Sequence, residues 1–224
     1  VHLVTGPAIS AVAFCPHPPL LLPQIATGVE IETQSLRSAC NEALDRLIDA
    51  GFSQLLVLGA DGPRVDSHAF APGLTADLRP MPLSLLVASW LLSERSPSFE
   101  TIYLAIGGDG EPVTGWPDLP DLPEATGVLV MGDGSARRSL KGPGYLDERA
   151  EPFDATVVKA LADGSPRSLA DLDLELADQL LVAGAPVWKA TANLVGVESK
   201  WRADVLYADA PYGVTYMVAS WLPA

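Results

Sequence analysis

The chain has 224 residues, with 14 Lys and Arg against 28 Asp and Glu, giving a formal net charge of −14. At about 100–200 residues per domain, it fits one domain over residues 1–224. A hydrophobic fraction of 48% with 19% charged residues can fill a core, which excludes a disordered chain. A pI near 4.4 argues against a nucleic-acid or anionic-membrane partner, since both need clustered Lys and Arg.

The first predicted element is a strand over Ala8–Phe14, stopped by Cys15-Pro16-His17-Pro18-Pro19 because proline cannot donate to a sheet ladder. Leu36, Ala39, Cys40, Ala43, Leu44, Leu47 and Ile48 recur at helical spacing before Gly51, which predicts an amphipathic helix over Thr33–Ala50. A buried strand over Leu55–Leu58 follows, ending in Gly59-Ala60-Asp61-Gly62. This strand–helix–strand order suggests a right-handed crossover and a parallel pair. Further on, a helix is predicted over Leu83–Ser93 and strands over Thr101–Ile106 and Gly127–Met131. The Pro- and Asp-rich Glu111–Glu124 reads as a surface excursion. Helices are then predicted over Pro152–Ala162, Ser168–Val182 and Val187–Leu194. Two last strands, Ala203–Tyr207 and Gly213–Trp221, flank a loop of hairpin length over Ala208–Tyr212. The expected fold class is α/β, a layered sandwich around a central, mixed and mostly parallel sheet.

Two cysteines make no disulfide framework, and the positions of Cys15 and Cys40 predict buried thiols. The longest apolar stretch, Pro82–Leu92, is far shorter than the ~20 residues of a membrane span. No basic segment of signal-peptide type opens the sequence, so a cytoplasmic, soluble protein is expected.

Four strand ends deliver His17, Asp61, Asp109 and Asp133. In open α/β sheets ligands bind beyond the carboxyl ends of parallel strands, where these groups would converge. His17, Asp61 and Asp133 together suit a divalent cation such as Mn, Fe or Zn. Asp-Gly is equally ordinary turn chemistry, because Asp caps its own backbone and Gly accepts positive φ. The stretch Gly132-Asp133-Gly134-Ser135-Ala136-Arg137-Arg138, leading to Tyr145, offers Ser135, Arg137, Arg138 and Tyr145 to a small-molecule substrate. Arginine can grip a carboxylate or phosphate through two parallel bonds. The arginines have an alternative in surface pairing with Asp147, Glu148 or Glu151. His68 lies in an exposed-looking loop from which it could swing to the strand ends. No phosphate loop, dinucleotide fingerprint or serine-nucleophile elbow is present.

The strand followed by Cys15-Pro16-His17-Pro18-Pro19, and the glycine-and-serine loop Gly132–Ser135, resemble the class III extradiol dioxygenase catalytic-subunit family, a B-subunit-like superfamily that includes Memo-type proteins. The ending Tyr207–Val214 is similar to an actinobacterial branch of it. The resemblance implies a non-haem Fe(II) site of two histidines and a glutamate, opening a catecholic ring with a further histidine as acid and base. Position by position, His17 matches the first ligand. The second histidine's place holds Ala60-Asp61-Gly62, the catalytic histidine's holds Ala136, and the glutamate's holds Gly184-Ala185-Pro186-Val187-Trp188. Two expectations follow. One is a divergent metal-dependent oxidoreductase on His17, Asp61 and Asp133; the other is a metal-free small-molecule-binding protein or pseudoenzyme that keeps the fold. A homo-oligomer is a further expectation, with Trp90, Trp116, Trp188, Trp201 and Trp221 as interface candidates.

Overall fold

Runs of apolar, β-branched residues between glycines and prolines set the strands, and apolar residues at helical spacing set the layers that cover them. The computed structural model describes residues 9–22, 25, 30–65, 80–95, 99–113, 122 and 125–224. Along the chain run β1 (Ile9–Cys15), a 3-10 turn (Pro19–Leu21), α1 (Glu30–Asp49), β2 (Gln54–Ala60), β3 (Arg64–Val65), β4 (Met81–Pro82), α2 (Leu83–Ser93), β5 (Glu100–Ile106) and β6 (Thr126–Met131). The second half contributes α3 (Ala150–Ala162), α4 (Pro166–Ala170), α5 (Leu174–Gln179), α6 (Ala185–Val195), β7 (Trp201–Asp209) and β8 (Tyr216–Pro223).

Six strands form one sheet in the order β5-β2-β6-β1-β8-β7. The first four are parallel, and β8 and β7 close the sheet antiparallel, so it is mixed and mostly parallel as expected. The short strands β3 and β4 pair separately.

Alternation of side chains along each strand splits the core in two. Ala11, Ala13, Cys15, Leu55, Val57 and Met131 face α1 and α2, where Leu36, Cys40, Leu44, Leu47, Leu85 and Leu91 are buried. Val12, Phe14, Leu56, Leu58, Val128 and Val130 face α3 to α6 on the other side. Ile9 joins the second face despite its odd number because the register shifts between Ile9 and Ala11. On that face Phe14 meets Trp221 edge-on at 4.8 Å between centroids, a geometry worth about 0.5–1.5 kcal/mol beyond area burial.

Three expectations are corrected. β1 and β2 are parallel but not neighbours, because β6 lies between them and pairs with both. The helix expected over Ser168–Val182 is two short ones. Asp173 breaks it by capping α5, its carboxylate accepting the Leu176 amide at 3.0 Å. The last strand begins at Tyr216, three residues later than expected, because Thr215 and Gly213 bond back to the loop after β6. Ala8, His68, Trp116 and most of Glu111–Glu124 lie outside the described residues. Of the other tryptophans, Trp188 and Trp221 are buried, Trp201 stacks on Trp221, and Trp90 is half-buried against the α1 side. No described helix is long and apolar enough to cross a membrane.

Candidate functional site

The parallel register Cys15↔Met131 places His17 opposite Asp133, two residues beyond each strand. The ladder runs on past the strand ends, with the Gly132 amide donating to the Cys15 carbonyl at 3.0 Å. The His17 amide then donates to Asp133 Oδ1 at 2.7 Å. Proline on both sides of His17 leaves that segment few other conformations. The imidazole Nδ1 stands 3.6 Å from Asp133 Oδ1, with side-chain exposures of 12% and 16%. That separation is too long for a hydrogen bond, and Nδ1 is buried without a partner among the described residues. Burial raises the Asp133 carboxyl above the ordinary carboxylate range, while the nearby imidazole and the His17 amide pull it down.

Around this pair sit the two thiols that the sequence predicts to be buried, and a phenol, Tyr216, that it did not single out. The Cys15 and Cys40 thiols are both free and buried. The Cys15 thiol beside it and burial push the Cys40 thiol well up, so Cys40 is a thiol and not a reactive thiolate. Tyr216 is buried, and burial followed by the charges of Asp133, Tyr212 and Tyr207 pushes its phenol up. The signal for these phenols lay in Tyr207, Tyr212 and Tyr216, which bracket the β7–β8 turn at the same sheet edge as His17.

The remaining expected site residues lie elsewhere. Asp61 is exposed and ion-paired with Arg64, Oδ1 to Nη1 at 2.6 Å. Asp109 accepts the Glu111 amide at 3.0 Å, which is turn chemistry. Ser135 is fully buried; its hydroxyl donates to the Leu180 carbonyl at 2.6 Å and its amide to Asp154 Oδ1 at 3.0 Å. Arg138 Nη1 donates to Asp154 Oδ2 at 3.2 Å and to Thr215 Oγ1 at 3.0 Å. Ser135 and Arg138 thus have their polar groups engaged in holding the loop after β6. Arg137 is half-buried and Tyr145 exposed on that same loop.

An Fe(II) facial triad takes three side-chain donors on one side of the ion. His17 and Asp133 supply two, and the orphaned Nδ1 is the kind of atom a cation or ligand would satisfy. Asp61 is turned to Arg64. Where the resemblance places a glutamate, Gly184 packs its backbone on Gly132, so close that a Cβ on Gly132 would lie 2.5 Å from Gly184 Cα. Among the described residues no three His, Cys, Asp or Glu side chains are arranged to hold a metal ion. The described donor set therefore does not complete an iron site.

A cavity of about 340 Å³ opens at the carboxyl ends of β2 and β5, lined by Ala60, Asp61, Ile106, Leu181, Val182 and Pro186. It lies where open α/β sheets receive ligands. No protein-family model matches the chain, and no curated protein matches it.

Proposed function

We propose that this is an extradiol-dioxygenase-like protein that binds a small organic ligand at the carboxyl edge of its sheet without a resident iron centre. The observation that carries this reading is the donor set of the described residues, in which His17 and Asp133 meet while Asp61 is held by Arg64. In this reading His17 Nδ1 exchanges a hydrogen bond with the ligand, and Asp133 fixes the His17 backbone through its amide. A ligand group that satisfies Nδ1 removes the penalty of a buried unpaired polar atom, worth about 1–3 kcal/mol.

The orphaned Nδ1 also favours a second reading, a rebuilt metal-dependent oxidoreductase in which Asp61 leaves Arg64 to join His17 and Asp133. Titration of chelator-treated full chain with Fe(II), Mn(II) and Zn(II), in wild type and His17→Ala, separates the two. The proposed reading expects no saturable binding at micromolar ion in either protein. Near-stoichiometric metal that is lost in His17→Ala would replace it with the second reading.

A further inference from the structure

Four of the large hydrophobic side chains exposed among the described residues gather on one loop system. Leu140, Tyr145 and Leu146 lie on the loop after β6, with Leu140 and Tyr145 exposed by 74% and 73%. Leu181, between α5 and α6, meets that loop at Gly144: a Cβ there would lie 2.6 Å from Leu181 Cδ1 and 2.7 Å from Arg137 Cγ. Gly144 is therefore the close approach at which Arg137 and Leu181 come together, and Tyr145 is the next residue in the chain.

Tyr145 and Leu181 are also the two described residues other than glycine with left-handed backbone, at φ 58° and 55°. Glycine or asparagine would hold that conformation at lower cost. Strain of this kind persists only where surrounding bonds fix it, and it gathers at ligand sites. Here the bonds are present. The Gly144 amide donates to the Ala136 carbonyl at 3.0 Å, the Tyr145 amide to Gly142 at 3.2 Å and the Asp147 amide to Arg137 at 3.0 Å. The Leu181 amide donates to Asp178 at 3.0 Å, and Ser135 bridges Val182.

The cation of this cluster lies near one carboxylate, Asp147, which its charge helps to hold down, but forms no ion pair with it. Arg137 has no ion-pair partner among the described residues, and its Nε is buried with no hydrogen bond. Asp147 is instead bonded by Arg149, through Nε at 3.0 Å and Nη2 at 2.8 Å. In a chain of net charge −14, a half-buried arginine left unpaired beside strained, exposed apolar side chains is a poor surface but a good receptor.

We infer that Arg137, Tyr145 and Leu181 form a binding site for a small organic anion with an aromatic body, its carboxylate or phosphate on the Arg137 guanidinium and its ring against Tyr145 and Leu181. The site stands independently of the His17–Asp133 reading.

The test is an amide NMR titration of the full chain with benzoate, phenyl phosphate, inorganic phosphate and benzyl alcohol, carried to about 10 mM, where a millimolar affinity saturates. The expected result is saturable shifts at residues 136–146 and 180–182 with benzoate or phenyl phosphate. Whichever of the two binds more tightly identifies the anionic group. Inorganic phosphate and benzyl alcohol should bind at least about tenfold more weakly, since each lacks half of the recognition. Arg137→Gln should weaken binding about tenfold or more, and Arg137→Lys, which keeps the charge but not the fork, provides the second variant. Tyr145→Asn should raise the melting temperature by about 2 °C by relieving the backbone, while weakening binding. No saturable shift, or equal affinity in both Arg137 variants and wild type, overturns the site. So does self-association that Tyr145→Asn dissolves without any response to the anions, which would make the patch an interface between copies.

Discussion

Asp133 and Asp154 are both withdrawn from water near the loop after β6, and they are treated in opposite ways. Asp154 is 1% exposed, and its two oxygens accept from the Ser135 amide, the Arg138 guanidinium and the Thr215 hydroxyl at 3.0, 3.2 and 2.5 Å. Asp133 receives the His17 amide, stands 3.6 Å from an imidazole nitrogen that has no partner among the described residues, and is pushed up by burial. A satisfied buried network specifies structure, whereas an under-satisfied pair is kept at a cost that folding does not repay. The first carboxylate holds the loop; the second, in the proposed reading, marks the place of the ligand.

The sharpest way to break this contrast is to remove each carboxylate in turn. Asp154→Ala strands Arg138 and the Ser135 amide, and should cost about 3–5 kcal/mol, the usual result of breaking a buried pair. Asp133→Asn keeps an acceptor for the His17 amide and should cost less than about 1 kcal/mol. Denaturant midpoints at unchanged m-value measure both. Equal losses would mean that Asp133 is as structural as Asp154.

Next in size is the backbone contact that closes the glutamate position. Gly132→Ala drives a Cβ against Gly184 and should cost on the order of 1–3 kcal/mol by overpacking. Thermal melting measures it, and a neutral result would show that β6 and α6 have room for a side chain between them.

The pH dependence of stability separates Asp133 from the exposed carboxylates. Its folded-state value lies above the ordinary 3.8, so between those two values the native state holds a proton that the unfolded chain has lost. The stability it contributes is present below 3.8 and lost as pH rises through the folded-state value. Asp147 runs the other way. The Arg149 guanidinium and amide lower it to about 2, so its contribution is present above 3.8 and lost as pH falls from there towards 2. Stability curves of Asp133→Asn and Asp147→Asn against wild type should therefore differ in opposite directions; differences of the same sign contradict the assignment.

The smallest effect is expected at Asp61. Arg64→Ala removes an ion pair whose side chains are 38% and 34% exposed, worth less than about 1 kcal/mol. Chemical denaturation in low salt should show almost no change, and a large loss would make the Asp61–Arg64 pair part of the framework.

Much of the fold was legible because it rests on period and punctuation. The α1 face of Leu36, Ala39, Cys40, Ala43, Leu44 and Leu47 is buried as its spacing predicts, and both thiols are buried. Strand order was not legible, since the insertion of β6 between β1 and β2 is decided by long-range packing on two faces. At the edge, His17 and Asp133 were readable as strand-end groups, yet their meeting depends on the Cys15↔Met131 register. The burial of Ser135 was unreadable, because its carbonyl partner, Leu180, lies 45 positions away. Asp109 followed the turn chemistry that Asp-Gly allows, whereas Asp61 went to an ion pair with Arg64 that the turn reading did not foresee.

The most direct test of the central claim is a crystal structure of the full chain grown with excess Zn(II), used as a redox-silent probe of the His17–Asp133 edge. The account predicts Asp61 still on Arg64 and no ion shared by His17 and Asp133. An ion about 2.0–2.2 Å from His17 Nδ1 and Asp133 Oδ1, with Asp61 swung in as the third donor, would contradict it.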